Sequence, residues 1–198
     1  TKHQRIVFNG NGYAPEWEKE ARRRGLPVLP SMVDAIPALT TDKAVELFGE
    51  FGVFTKTELE SRAEIQYEIY AKAINIEAKT MVDMATKQII PAVIKYTTVL
   101  AESINQVKAV GPIDVSVQMD LLKKASKLLK EVNSTMNKLS KLVDQIETHP
   151  EGRDRAVFCR EKLVPAMEKL REPVDELEML VDKDMWPMPS YGDLVFEP

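Results

Sequence analysis

The sequence predicts an all-α fold: an elongated up-and-down bundle of three long helices, with a collar of short helices and a short N-terminal strand. Three observations carry this. Apolar residues recur at steps of three and four over nearly all of residues 55–184, which is the spacing of one helical face. The pattern is broken at Gly111-Pro112 and His149-Pro150, where glycine and proline interrupt a helix and let the next one fold back. Ahead of the collar lies the short apolar run Arg5-Ile-Val-Phe8, which ends at once in Asn9-Gly-Asn-Gly12. That run reads as a strand remaining from a larger domain, since the chain starts at Thr1 rather than methionine and offers it no partner strand.

Residues 1–54 form the collar and the end of a preceding domain. Pro15 opens a short helix whose acids, Glu16, Glu18 and Glu20, come first and whose bases, Arg22 to Arg24, come last, in line with the helix dipole; Gly25 follows as its stop. Pro27, Pro30 and Pro37 keep the next stretch irregular, with Ser31 able to cap a single turn. A further short helix covers Thr41 to Glu50.

Residues 55–184 are the bundle. Thr55-Lys-Thr-Glu58 is a capping box, in which hydroxyl and carboxylate each satisfy a backbone donor at a helix start. The first long helix runs to about Lys108 with a seam of Tyr70, Ile74, Ala78, Met81, Ala85, Ile89, Ala92, Tyr96, Leu100 and Ile104. Pro91 bends it without ending it, because the seam continues in phase beyond. Leu121, Ala125, Leu128, Val132, Met136, Leu139, Val143 and Ile146 mark the second helix. Ala156, Cys159, Leu163, Met167, Leu170, Val174, Leu177 and Val181 mark the third, in register despite Pro165 and Pro173.

Residues 185–198 form an extended tail held open by Pro187 and Pro189. Trp186, Tyr191, Leu194 and Phe196 are its candidate docking residues, because large apolar groups require a surface. That surface is either this bundle or another domain or subunit.

Composition narrows the function. A net charge of −4 gives no broad positive field for a phosphate backbone or an anionic membrane, so neither nucleic acid nor membrane is an expected partner. No apolar run approaches the ~20 residues of a membrane span. A single cysteine, Cys159, rules out an internal disulfide and suits a reducing cytoplasm; its helical spacing among apolar residues points to packing rather than reactivity. The two histidines, His3 and His149, belong to no Glu-x-x-His pair, and His149 reads as a solvated helix-end cation. Asn9-Gly-Asn-Gly12 lacks the lysine of a phosphate loop. Glu58, Glu60, Glu64, Glu68 and Glu77 read as the solvated face of the first long helix, and Arg22 to Arg24 as a helix C-terminus or an anion site. No catalytic, cofactor-binding or metal-ligating residue is assigned.

Several runs together resemble the C-terminal region of type III glutamine synthetases. They are Arg5-Ile-Val-Phe-Asn-Gly-Asn-Gly-Tyr13 with Trp17, Arg24-Gly-Leu26, Gly52-Val-Phe-Thr-Lys-Thr-Glu-Leu-Glu-Ser-Arg62, Tyr70-Ala-Lys-Ala-Ile-Asn-Ile-Glu-Ala78, Pro91-Ala-Val-Ile-Lys-Tyr96 and Met185-Trp-Pro-Met-Pro-Ser-Tyr-Gly-Asp-Leu194. The resemblance implies a parent enzyme that joins ammonia to glutamate through an acyl phosphate made from ATP, with magnesium or manganese on the nucleotide. It implies that catalytic and metal-binding residues lie upstream of this segment. The segment itself is then expected to brace its own catalytic domain and neighbouring subunits in a cytoplasmic homo-oligomer. A stand-alone helical adaptor with an exposed apolar groove, and a small bundle enzyme with convergent ionisable groups, are the competing readings.

Overall fold

The structure is a computed structural model and describes residues 3–189 and 191–196. It divides into two units, Thr1–Gln66 and Tyr67–Pro198, with the boundary inside the first long helix.

In the first unit, helix α1 (Pro15–Arg23) carries proline in its first turn and ends at Gly25, whose φ of 69° is the left-handed conformation that glycine adopts without penalty. The Leu26 N–H returns to the Ala21 carbonyl at 2.9 Å and the Gly25 N–H to that of Arg22 at 3.0 Å, which closes the helix with two of its orphan acceptors satisfied. Helix α3 (Asp42–Glu50) ends the same way: Gly52 lies at φ 64°, and Val53 N–H donates to the Phe48 carbonyl at 2.9 Å. Between them, α2 (Met32–Ala35) is capped by Ser31, and Thr41 caps α3 by accepting from the Ala44 N–H at 3.3 Å. The capping box predicted for α4 (Lys56–Met84) is present: Thr55 N–H donates to Glu58 Oε2 at 2.7 Å, and Glu58 N–H donates to Thr55 Oγ1 at 3.3 Å.

The expected strand at Arg5–Phe8 is not formed. Gln4–Ile6 make a 3-10 turn and Val7 is extended (φ −89°, ψ 125°). An isolated strand has no ladder to satisfy its backbone, and no strand exists among the described residues to supply one. The Arg24 side chain satisfies the carbonyls of Arg5 and Val7 instead.

The second unit is the bundle. Helix α4 passes through a π turn (Ala85–Ile89) into α5 (Ile90–Val110). Helix α6 (Ser116–Gln145) packs against both α5 and α8 (Val164–Glu178). Helix α7 (Arg153–Phe158) joins α8 through a second π turn (Cys159–Leu163). Each π turn ends two residues before a proline, Pro91 and Pro165. A proline removes one helical donor, and its ring crowds the carbonyl four residues earlier. The wider π turn accommodates both effects, so each helix continues through its proline as the seams required. Pro173 lies inside α8 without a π turn.

The seams of α6 and of α7–α8 are buried as predicted at Ala125, Leu128, Val132, Met136, Leu139 and Ile146, and at Ala156, Cys159, Leu163, Leu170, Leu177 and Val181. The first seam is rotated at its start. Tyr67 and Ala71 are buried, whereas Tyr70, Ile74 and Met81 are only half-buried. Alanines recur every seven residues at Ala71, Ala78, Ala85 and Ala92, all buried. Small side chains let a neighbouring helix approach closely, and the Cys159 thiol lies 3.9 Å from the Ala71 carbonyl oxygen.

Candidate functional site

The tail begins with a 3-10 turn (Lys183–Met185), capped by Asp182 Oδ1 accepting from the Asp184 N–H at 2.8 Å. Its chain then crosses the first long helix at the π turn. On one side Trp186 and Met188 join Met81, Met84, Ile89 and Leu170 around a cavity of about 380 Å³, with Arg171 and Asp175 paired at 3.1 Å among its lining residues. On the other side Asp184, Met185 and Pro187 face Lys87, Pro91 and Lys95 around a more polar cavity of about 490 Å³. Trp186 is half-buried, and its indole N–H is buried with no acceptor among the described residues. Burial, with a smaller push from the Asp182 carboxylate, raises the Tyr96 phenol above its ordinary pKa.

Beyond Pro189 the tail differs from the extended chain expected, because Tyr191–Phe196 form a helix (α9). Past Pro189 no proline prevents helical pairing, and Lys183 ties the element back through an ion pair to Asp193 at 2.9 Å. Of the four candidate docking residues, Trp186 sits on the bundle. Leu194 and Phe196 are 67% and 84% exposed, with Val195 beside them at 66%. The side chain of Tyr191 lies outside the described residues.

Several other positions singled out in the sequence are engaged in packing or local pairing. Cys159 is fully buried, and burial pushes its thiol pKa up. His149 is half-buried and stacks on Phe158 at 4.0 Å, while Arg155 donates to its carbonyl at 3.0 and 3.2 Å. Glu60 and Glu68 pair with Lys56 and Lys72 one turn away. Arg23 and Arg24 both engage Glu20, and hydrogen bonds from Arg23 and then Arg24 lower its carboxyl pKa from 4.5 to about 2. No group of three or more His, Cys, Asp or Glu side chains able to hold a metal occurs among the described residues. The turn at Asn9–Gly12 contains no lysine or arginine.

Sequence reasoning did not identify Arg24 as the centre of the first unit. Its guanidinium lies over Phe8 at 6.0 Å and Trp17 at 5.7 Å, and those two rings pack at a tilt with centroids 4.6 Å apart. The signal was present as two aromatics flanking a Gly-rich turn beside an arginine, but nothing in a helical period brings them together.

The family model described as the glutamine synthetase C-terminal domain matches residues 1–108. The chain is 34% identical to a glutamine synthetase of Butyrivibrio fibrisolvens over 98% of its own length, but covers only 28% of that protein. It is 32% identical to a type-3 glutamine synthetase of Dictyostelium discoideum, over 98% of this chain and 27% of the relative. A glutamine synthetase of Bacteroides fragilis matches at 31% identity over 96% of the chain and 27% of its own length. No helix among the described residues is long and apolar enough to cross a membrane. A family match over more than half of the chain, joined to these relatives, places this all-helical chain in the glutamine synthetase family, as its C-terminal domain.

Proposed function

We propose that this chain is the non-catalytic C-terminal portion of a type III glutamine synthetase, where it braces the upstream ligase portion and helps hold subunits together in a cytoplasmic homo-oligomer. The parent enzyme makes glutamine from glutamate, ammonia and ATP with magnesium or manganese; those groups bind outside this segment. The observation that carries the reading is the tail. Trp186 is seated on the bundle, while Leu194, Val195 and Phe196 project from it largely exposed. Exposed apolar groups held at a defined place on a stable scaffold are what a docking surface requires. The matched region is only 28% of one relative, which leaves a large remainder that such a surface could meet.

Incubating the chain with glutamate, ATP, magnesium and ammonia tests the first half. No glutamine is expected above a heat-killed control, whereas the longer polypeptide carrying the upstream portion forms it. Glutamine made by the isolated chain would overturn the reading. A stand-alone adaptor would instead leave the upstream portion equally active and equally assembled without this chain.

A further inference from the structure

From the local geometry of residues 5–24 we infer that the loop between Phe8 and Trp17 is a recognition finger. Its tip residue, Tyr13, inserts into an apolar cleft of the ligase portion upstream in the same polypeptide. This rests on the reading above that such a portion is joined to this chain.

The loop is built to hold its shape. Its base is closed by the tilted Phe8–Trp17 ring pair at 4.6 Å, and Arg24 holds the incoming segment by donating to the carbonyls of Arg5 at 3.0 Å and Val7 at 2.6 Å. A Cβ at Gly10 would lie 2.6 Å from the Phe8 ring, so a larger residue there would displace that ring from its place beside Trp17. Inside the loop, Asn11 Oδ1 accepts from the Tyr13 N–H at 3.0 Å and the Asn11 carbonyl from the Ala14 N–H at 3.2 Å.

All this order presents one large side chain to solvent: Tyr13 is 99% exposed. A tyrosine loses little side-chain entropy on binding and offers an apolar ring with a polar tip, so a pre-shaped loop carrying one is suited to an apolar cleft that ends in a hydrogen-bond acceptor. The relatives are more than three times as long as the matched region, which is 28% of one of them. The finger rises directly from the segment that would join that remainder, so a docking site there is met at high effective concentration.

Acetylation of phenols by N-acetylimidazole, followed peptide by peptide by mass spectrometry, tests this. In the isolated chain Tyr13 should react like free tyrosine, while buried Tyr67 and Tyr96 stay slow as internal controls. In the longer polypeptide Tyr13 should be protected at least tenfold. Tyr13→Ser should lower the melting temperature of the longer polypeptide but not of the isolated chain. Equal labelling in both forms would overturn the inference, as would protection that disappears when the assembly is diluted to single subunits, which would make a neighbouring copy the occupant. Glutamine synthesis is measured on the same samples. Its absence from the longer polypeptide would remove the ligase reading, whereas loss of protection with activity intact would remove only the finger.

Discussion

Arg24 and Val7 are joined by a hydrogen bond of 2.6 Å from guanidinium to backbone carbonyl, across 17 residues of sequence. The same guanidinium donates to Glu20 at 2.5 Å and lies over two aromatic rings. A planar fork serves all of these partners at once, and an ammonium does not. Arg24→Lys and Arg24→Met should therefore behave alike, each costing about 1–2 kcal/mol. In both, Trp17 emission should shift to the red as its ring is uncovered. Rescue by lysine would show that charge alone matters.

Glu20 gives that network a pH dependence. Its folded pKa of about 2 lies below the ordinary 4.5, so its contribution is complete above about pH 4.5 and is lost as pH falls from there toward 2. Melting temperatures of the native chain and Glu20→Gln, measured from pH 7 downward, should differ by a constant amount to about pH 4.5 and converge by pH 2. A gap that widens on acidification would contradict the pairing.

In the bundle, Leu128 and Leu163 are 4% and 0% exposed, and truncation to alanine should cost about 2–5 kcal/mol in each case. Met81 was predicted to be a core residue of the same rank, but it is half-buried beside a cavity of about 380 Å³. Met81→Ala should cost clearly less than either leucine change in denaturant unfolding, because part of its surface is already uncovered.

The difference between Met81 and Leu128 shows what periodicity resolves. On α6 a single row carries Leu128, Val132, Met136 and Leu139, all buried, so the middle of the seam could be read residue by residue, while Leu121 and Val143 at its ends are half-buried. On α4 two adjacent rows compete. The large one, Tyr70 and Ile74, attracts the eye, but the alanine row wins because small residues permit closer approach. The π turns were not legible as such: a proline inside an unbroken seam says that the helix survives, not how it makes room. In the tail, the four large apolar residues were legible as a group. Their split into a seated Trp186 and an exposed Leu194 and Phe196 depends on tertiary contact and on the Lys183–Asp193 pair, which no local pattern encodes.

The exposed end of the tail is the part that the bracing account needs most. Deleting residues 190–198 from the longer polypeptide leaves Trp186 in its seat and removes Leu194, Val195 and Phe196. Light scattering of that truncated enzyme, with circular dichroism of the isolated chain carrying the same deletion, is the decisive measurement. The account predicts a smaller or less stable assembly with the helical content of the bundle nearly unchanged. Assembly and ligase activity equal to those of the intact enzyme would contradict it.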